Sequence, residues 1–89
     1  MKLSTQEEYG LRCLLQIGRH ENKTGDGLAI PEISQAEGLS VPNVAKVMRK
    51  LRLGELVESV RGQSGGYKLA RPAGQIVVGE VLAVLGGPF

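Results

Sequence analysis

The residues best suited to chemistry lie between Ser40 and Gly54, where Asn43, Lys46, Arg49 and Lys50 occur and no acidic residue appears. Cations and an amide at helical spacing are anion-binding groups. Ammonium and guanidinium meet phosphate oxygens, and an amide or a planar guanidinium can also pair with a base edge. A helix that serves only as solvated surface usually interleaves Glu with its bases, gaining roughly 0.3 kcal/mol for each i,i+4 pair. That interleaving is missing here, which favours an anion-binding face over a merely solvated one. Other candidates for chemistry are few. Cys13 is the single cysteine and His20 the single histidine, so an internal disulfide, a Cys-rich metal site within these residues and a Cys/His nucleophile lack their parts. Gly62 to Lys68 superficially suggests a phosphate-cradling loop. Tyr67, however, stands where Gly must precede the Lys, and Leu69 where a hydroxyl residue must follow it. No carboxylate pair, triad or metal cluster has catalytic spacing, and an enzyme is not expected.

Charge along the chain sharpens this reading. Residues 1–40 hold four Lys/Arg against six Asp/Glu, and residues 72–89 hold only Glu80. Between Val41 and Arg71 seven bases face Glu55 and Glu58, a local excess of +5 inside a chain whose net charge is only +2. Such a basic block is the footprint of a phosphate-binding surface. With three aromatics, Tyr9, Tyr67 and Phe89, a base-stacking platform for single strands has little material.

The elements that must position these groups follow from periodicity and punctuation. Ser4 with Glu7, or Thr5 with Glu8, has capping-box spacing, and Tyr9, Leu11, Leu14, Leu15 and Ile17 recur at helical intervals. This predicts a first helix from about Thr5 to Arg19, with His20 at its C-terminal end as a partner of the helix dipole. A polar loop, Glu21 to Gly27, separates it from a short second helix with Pro31 in its first turn and Gly38 as a left-handed stop. Ser40 then caps a third helix that ends near Leu53 before Gly54. On that helix Val44, Val47, Met48 and Leu51 share an apolar stripe with Val41 at its edge. Pro42, Lys46, Arg49 and Leu53 project oppositely, flanked by Asn43 and Lys50.

Two helices joined by Glu37 to Ser40 form a helix-turn-helix pattern. The β-rich runs Leu56 to Val60 and Tyr67 to Ala70, joined by the glycine-rich loop Arg61 to Gly66, predict a hairpin directly behind it. The loop glycines permit positive φ and close backbone approach. Arg61 at its base, with Gln63 and Ser64 at its tip, can enter a minor groove, the alternative being glycines that serve turn geometry alone. Ile76 to Leu85, with Val78, Val81, Leu82 and Leu85, suits a short helix packed back on the first.

The expected fold is mainly α with a small β-hairpin: one winged helix-turn-helix domain over residues 1–89, with the helix-turn-helix at about 29–53 and the wing at about 56–70. At 9.5 kDa and 42% hydrophobic residues the chain is one small globular unit. Its apolar runs are too short to span a bilayer, and residues 1–8 resemble no secretory signal, so a cytoplasmic location without membrane contact is expected. Ending a helix on Gly86-Gly-Pro-Phe89 is unusual, and the 89 residues are expected to be part of a longer polypeptide.

The strings Met1-Lys-Leu-Ser-Thr, Leu51-Arg-Leu-Gly-Glu-Leu-Val, Ser59-Val-Arg-Gly and Gly65-Gly-Tyr-Lys-Leu-Ala-Arg-Pro, in this order of elements, resemble the IscR/NsrR-type (Rrf-two) bacterial transcription regulators. The resemblance covers the whole chain. It implies sequence-specific binding of double-stranded DNA at a palindromic operator by a homodimer, as a repressor or activator. It also implies a C-terminal sensing and dimerisation region beyond Phe89, responsive to redox state, nitric oxide or iron–sulfur supply through a bound cluster. No cofactor is expected within these residues alone. Position by position, it puts Ser40 and Asn43 in the major groove and Arg61 in the minor groove. The face analysis adds Lys46, Arg49 and Lys50 as phosphate or base contacts, and the loop adds Gln63 and Ser64. Family members often carry an aromatic where this chain has Asn43 and an acidic residue where it has Ala45, so a relative's operator does not transfer; Asn43 suits adenine. Glu8 falls where some members supply a cluster ligand to the partner subunit, and equally where a first-turn Glu belongs on electrostatic grounds. The competing function is a winged-helix protein-interaction module whose basic helix meets an acidic partner.

Overall fold

The computed structural model describes residues 3–60 and 66–86. Its first helix, α1, spans Thr5–Thr24. Of the two capping boxes the sequence offers, Ser4 with Glu7 is the one formed: Ser4 Oγ accepts the Glu7 N–H at 3.1 Å, and Glu7 Oε1 accepts the Ser4 N–H at 2.8 Å. The helix runs one turn past the expected end at Arg19. Nothing between His20 and Thr24 breaks a helix, and the chain stops at Gly25 with φ 79°, whose N–H reaches Glu21 O at 2.7 Å. Thr24 Oγ1 donates to His20 O and accepts the Asp26 N–H. His20 therefore lies inside the helix, a turn before its end.

The second helix, α2, covers Ile30–Glu37 with Pro31 in its first turn, and ends at Gly38 with φ 66°. The third, α3, covers Val41–Leu53. Strands β1 (Val57–Ser59) and β2 (Tyr67–Leu69) pair antiparallel with Val57 opposite Leu69 and Ser59 opposite Tyr67. A 3₁₀ turn at Ala73–Gln75 leads to α4, Val78–Gly86. That helix begins two residues later than the Ile76 expected, and Val78 is exposed rather than packed.

The hairpin has a neighbour that the sequence reading did not foresee. Leu28 exchanges both backbone hydrogen bonds with Tyr67 at 3.0 Å, a single bridge between α1 and α2 that ties the hairpin to the helices. Gly66 makes this possible. It takes φ 107°, and a β-carbon there would lie 2.8 Å from the Leu28 carbonyl carbon. The close backbone approach expected of the loop glycines is thus, at Gly66, an approach to the protein's own chain.

The core lies where α1 meets the other elements. Cys13, Leu14 and Ile17 of α1 pack with Ile33 of α2, with Leu56 and Val57 at the hairpin entry, and with Val81 and Leu85 of α4. From α3 come Val44, Val47, Met48 and Leu51, all four fully buried as their spacing predicts, while Val41 remains half exposed. Removing each such aliphatic side chain from water contributes about 1.5–3 kcal/mol. Together they hold α3 by one face and leave its opposite face to solvent.

Candidate nucleic-acid interface

The α2–α3 turn is fixed at several points before α3 begins. Leu39 N–H reaches Ser34 O at 3.1 Å, and Ser34 Oγ donates to Leu39 O. Arg12 of α1 holds the end of α2: its Nε donates to Glu37 Oε1 at 3.0 Å and its Nη2 to Glu37 O. The Glu37 carboxylate in turn raises the pKa of the guanidinium above its ordinary value. A cation against the last carbonyls of a helix also opposes the negative end of its dipole. These contacts set where α3 starts and the direction in which it leaves.

Ser40 caps α3, its Oγ accepting the Asn43 N–H at 3.3 Å. This uses an acceptor of the hydroxyl and leaves its proton for an anion at the helix N-terminus, where backbone N–H groups also point outward. Lys46 and Arg49 are exposed opposite the buried stripe, Asn43 is exposed on its flank, and α3 contains no acidic residue. Arg52 is exposed as well. The sequence reading places it in the basic block without a contact; its position three residues after Arg49, on the same side of the helix, is the signal that finds it.

Two bases of the block, Lys50 and Arg71, have other engagements. Lys50, expected on the flank of the basic face as a phosphate or base contact, is half-buried. Its Nζ donates to Gln6 Oε1 at 2.8 Å and to Leu85 O at 3.2 Å. The helical wheel located its flank correctly. A flexible four-carbon stem then carried the ammonium to acceptors on α1 and α4 that the wheel does not contain. Arg71 makes a two-pronged pair with Glu80 at 2.7 and 3.0 Å, which holds the Glu80 carboxyl below the usual carboxylate range. Lys68 sits opposite Glu58 in the strand register. Among the described residues, the bases of α3 left exposed are therefore Lys46, Arg49 and Arg52. Arg61, Gln63 and Ser64 lie outside the described residues.

The donors for a cluster do not come together. Cys13 is buried, and desolvation, reinforced by the charge of Glu37 and opposed by Arg12, pushes its thiol up to about 11. A cluster ligand must be the thiolate. Glu8 is exposed on the first turn of α1, its Oε2 3.5 Å from Arg12 Nη1. Among the described residues no three His, Cys, Asp or Glu side chains group as metal ligands. One protonated core thiol and one ion-paired surface carboxylate do not fit an iron–sulfur cluster held by these residues alone.

A second surface feature is an apolar cleft of about 560 Å³ between α1, β2 and α4, lined by Leu11, Leu15, Leu69, Ile76 and Val78 among others, with Arg19 and Asn22 at its polar part. No residue of α3 lines it.

A basic helix presented by a buttressed helix-turn-helix and followed by a two-stranded hairpin places the chain among the winged helix-turn-helix proteins. Family comparison narrows this. The chain belongs to the Rrf2 family, described as iron-dependent transcriptional regulator, which matches residues 3–89. It is 39% identical over 82 residues to the HTH-type transcriptional regulator IscR of Cereibacter sphaeroides, covering 92% of this chain and 53% of that protein. With the protein rrf2 of Nitratidesulfovibrio vulgaris it shares 40% identity over 85 residues, covering 96% and 55% respectively. Among solved structures it is similar to IscR of T. potens, with a TM-score of 0.89 at 36% identity over 98% of this chain and 62% of that one. CymR, the global cysteine regulator of B. subtilis, is similar with a TM-score of 0.88 at 31% identity over 99% and 67%. The chain spans about half the length of the curated relatives it matches.

Proposed function

We propose that this chain is the DNA-binding part of a bacterial transcription regulator, with α3 in the major groove of double-stranded DNA and the wing against the neighbouring minor groove. The observation that carries the reading is the acid-free face of α3, with Lys46 and Arg49 exposed opposite four fully buried side chains and Asn43 and Arg52 exposed on its flanks. An α-helix fits a major groove about 12 Å wide. In the proposed pose Ser40 and Asn43 meet phosphate and base edges, Lys46 and Arg49 neutralise phosphates, and Arg61, Gln63 and Ser64 serve the wing. Sequence-specific recognition of a palindromic operator, homodimerisation, repression, and a response to redox state, nitric oxide or iron–sulfur supply are properties we propose for a cytoplasmic polypeptide of the relatives' full length. We do not extend the proposal to Glu8, whose carboxylate faces Arg12.

The test is binding of the chain to a labelled duplex that it has itself selected from a random library, over a range of salt. Log K is expected to fall with log salt by about 0.9 for each phosphate contact. Lys46→Met and Arg49→Met should each reduce that slope by about 1. A salt-independent affinity, or binding of an acidic protein in place of DNA, would favour the protein-interaction module and overturn the proposal.

A further inference from the structure

The ammonium of Lys50 is the one basic group of α3 whose hydrogen bonds, among the described residues, leave its own helix. It reaches Gln6 Oε1 in the first turn of α1 and the carbonyl of Leu85 in the last turn of α4. Leu85 O is among the final carbonyls of α4, which have no partner within their helix and sit at its negative pole. A cation donated from another helix satisfies both conditions. The surroundings are shaped to bring these groups together. Gly54, just past the end of α3, lies so close to α4 that a β-carbon there would be 2.5 Å from Val84 Cγ2. Gly10 of α1 lies so close to Leu85 that a β-carbon would be 2.3 Å from its Cδ1. The last turn of α4 is thus clamped between α1 and α3 by two glycine contacts and one charged hydrogen bond.

From this geometry we propose that Lys50 is a positioning residue, not a DNA contact: it locks the C-terminal turn of α4 and the N-terminal turn of α1 to α3, and so sets the orientation of the basic face. The inference rests on the DNA-binding reading for its functional consequence and on the structure alone for the link. Movement of the end of α4 is then transmitted to α3 through this ammonium together with the Gly54 contact on Val84. Lys46 and Arg49, four residues and one residue before Lys50, have no such tether among the described residues and are exposed.

The test separates position from contact. With the selected duplex, Lys50→Met should weaken binding on the order of tenfold, the equivalent of one charge-assisted hydrogen bond, and leave the salt slope at its wild-type value. Gln6→Ala removes an acceptor from α1 and no charge from α3. It should weaken binding in the same direction, again with an unchanged slope, while Lys50→Arg should retain part of the affinity. In unfolding, the effects of Gln6→Ala and Lys50→Met should be non-additive, as for groups in one hydrogen-bond network. A slope that drops by about 1 in Lys50→Met, as for a phosphate contact, would overturn the inference. So would an unchanged affinity in both variants, or strict additivity in unfolding. If Lys46→Met and Arg49→Met leave the slope untouched, the DNA-binding reading fails instead, and the unfolding cycle alone then upholds or rejects the Lys50 link.

Discussion

The carboxylate of Glu21, in the last turn of α1, accepts the backbone N–H of Leu69 on β2 at 3.0 Å. Leu69 is the outer end of the strand register, opposite Val57, so this side chain docks the wing on the longest helix. Glu21→Ala leaves a partly buried N–H without its acceptor and should cost about 1 kcal/mol. Faster amide exchange at Leu69 would confirm it, and Glu21→Gln, which keeps an acceptor oxygen, should recover most of the loss.

Two adjacent positions at the end of α3 should respond to substitution with opposite signs. Glu55, not Gly54, takes the left-handed conformation, with φ 61° against −83° at Gly54. Glu55→Gly should therefore stabilise the fold by about 0.5–1 kcal/mol by removing strain at a non-glycine residue. Gly54→Ala should destabilise by about 1–3 kcal/mol, because the new methyl must displace Val84. Urea unfolding midpoints of the two variants decide both.

The Arg71 pair should make part of the stability acid-sensitive. The hydrogen bond from Arg71, and then its charge, depress the Glu80 carboxyl. A depressed carboxyl stabilises the fold above its unfolded pKa, and that contribution is lost as pH falls through the lower, folded value. Arg71→Gln should move the Glu80 titration, followed by carboxyl NMR, up toward the ordinary range. The stability gap between variant and parent should shrink as the solution is acidified.

Cys13 should behave as a core thiol. In the folded protein it should resist alkylation at pH 8 and react on denaturation, since the thiolate is the reactive form and burial pushes the thiol up to about 11. The same shift carries a stability term that is fully present below the unfolded thiol pKa of about 8.5 and is lost as pH rises toward the folded value. Rapid labelling of the native chain would contradict its placement.

Much of the fold was legible without coordinates because it rests on local chemistry. The buried stripe of α3 follows from apolar residues three and four apart, and the caps at Ser4 and Ser40 and the stop at Gly38 follow from what those side chains or their absence permit. Two features escape the sequence for different reasons. Glu21 to Thr24 look like a loop because they are polar and have no apolar period, yet polar residues also form a solvated last helical turn. Leu28, a single bridging residue, is too short to register as a strand.

For the candidate site, composition and helical spacing were enough to place Asn43, Lys46 and Arg49 on an open, acid-free face, since residue type and angular position around a helix are both written in the chain. They could not say which bases remain free for an anion. That depends on acceptors far away in sequence: Gln6 and Leu85 for Lys50, Glu80 for Arg71. Long cationic side chains take whichever partners the packed helices bring within reach, and only the tertiary structure decides which those are.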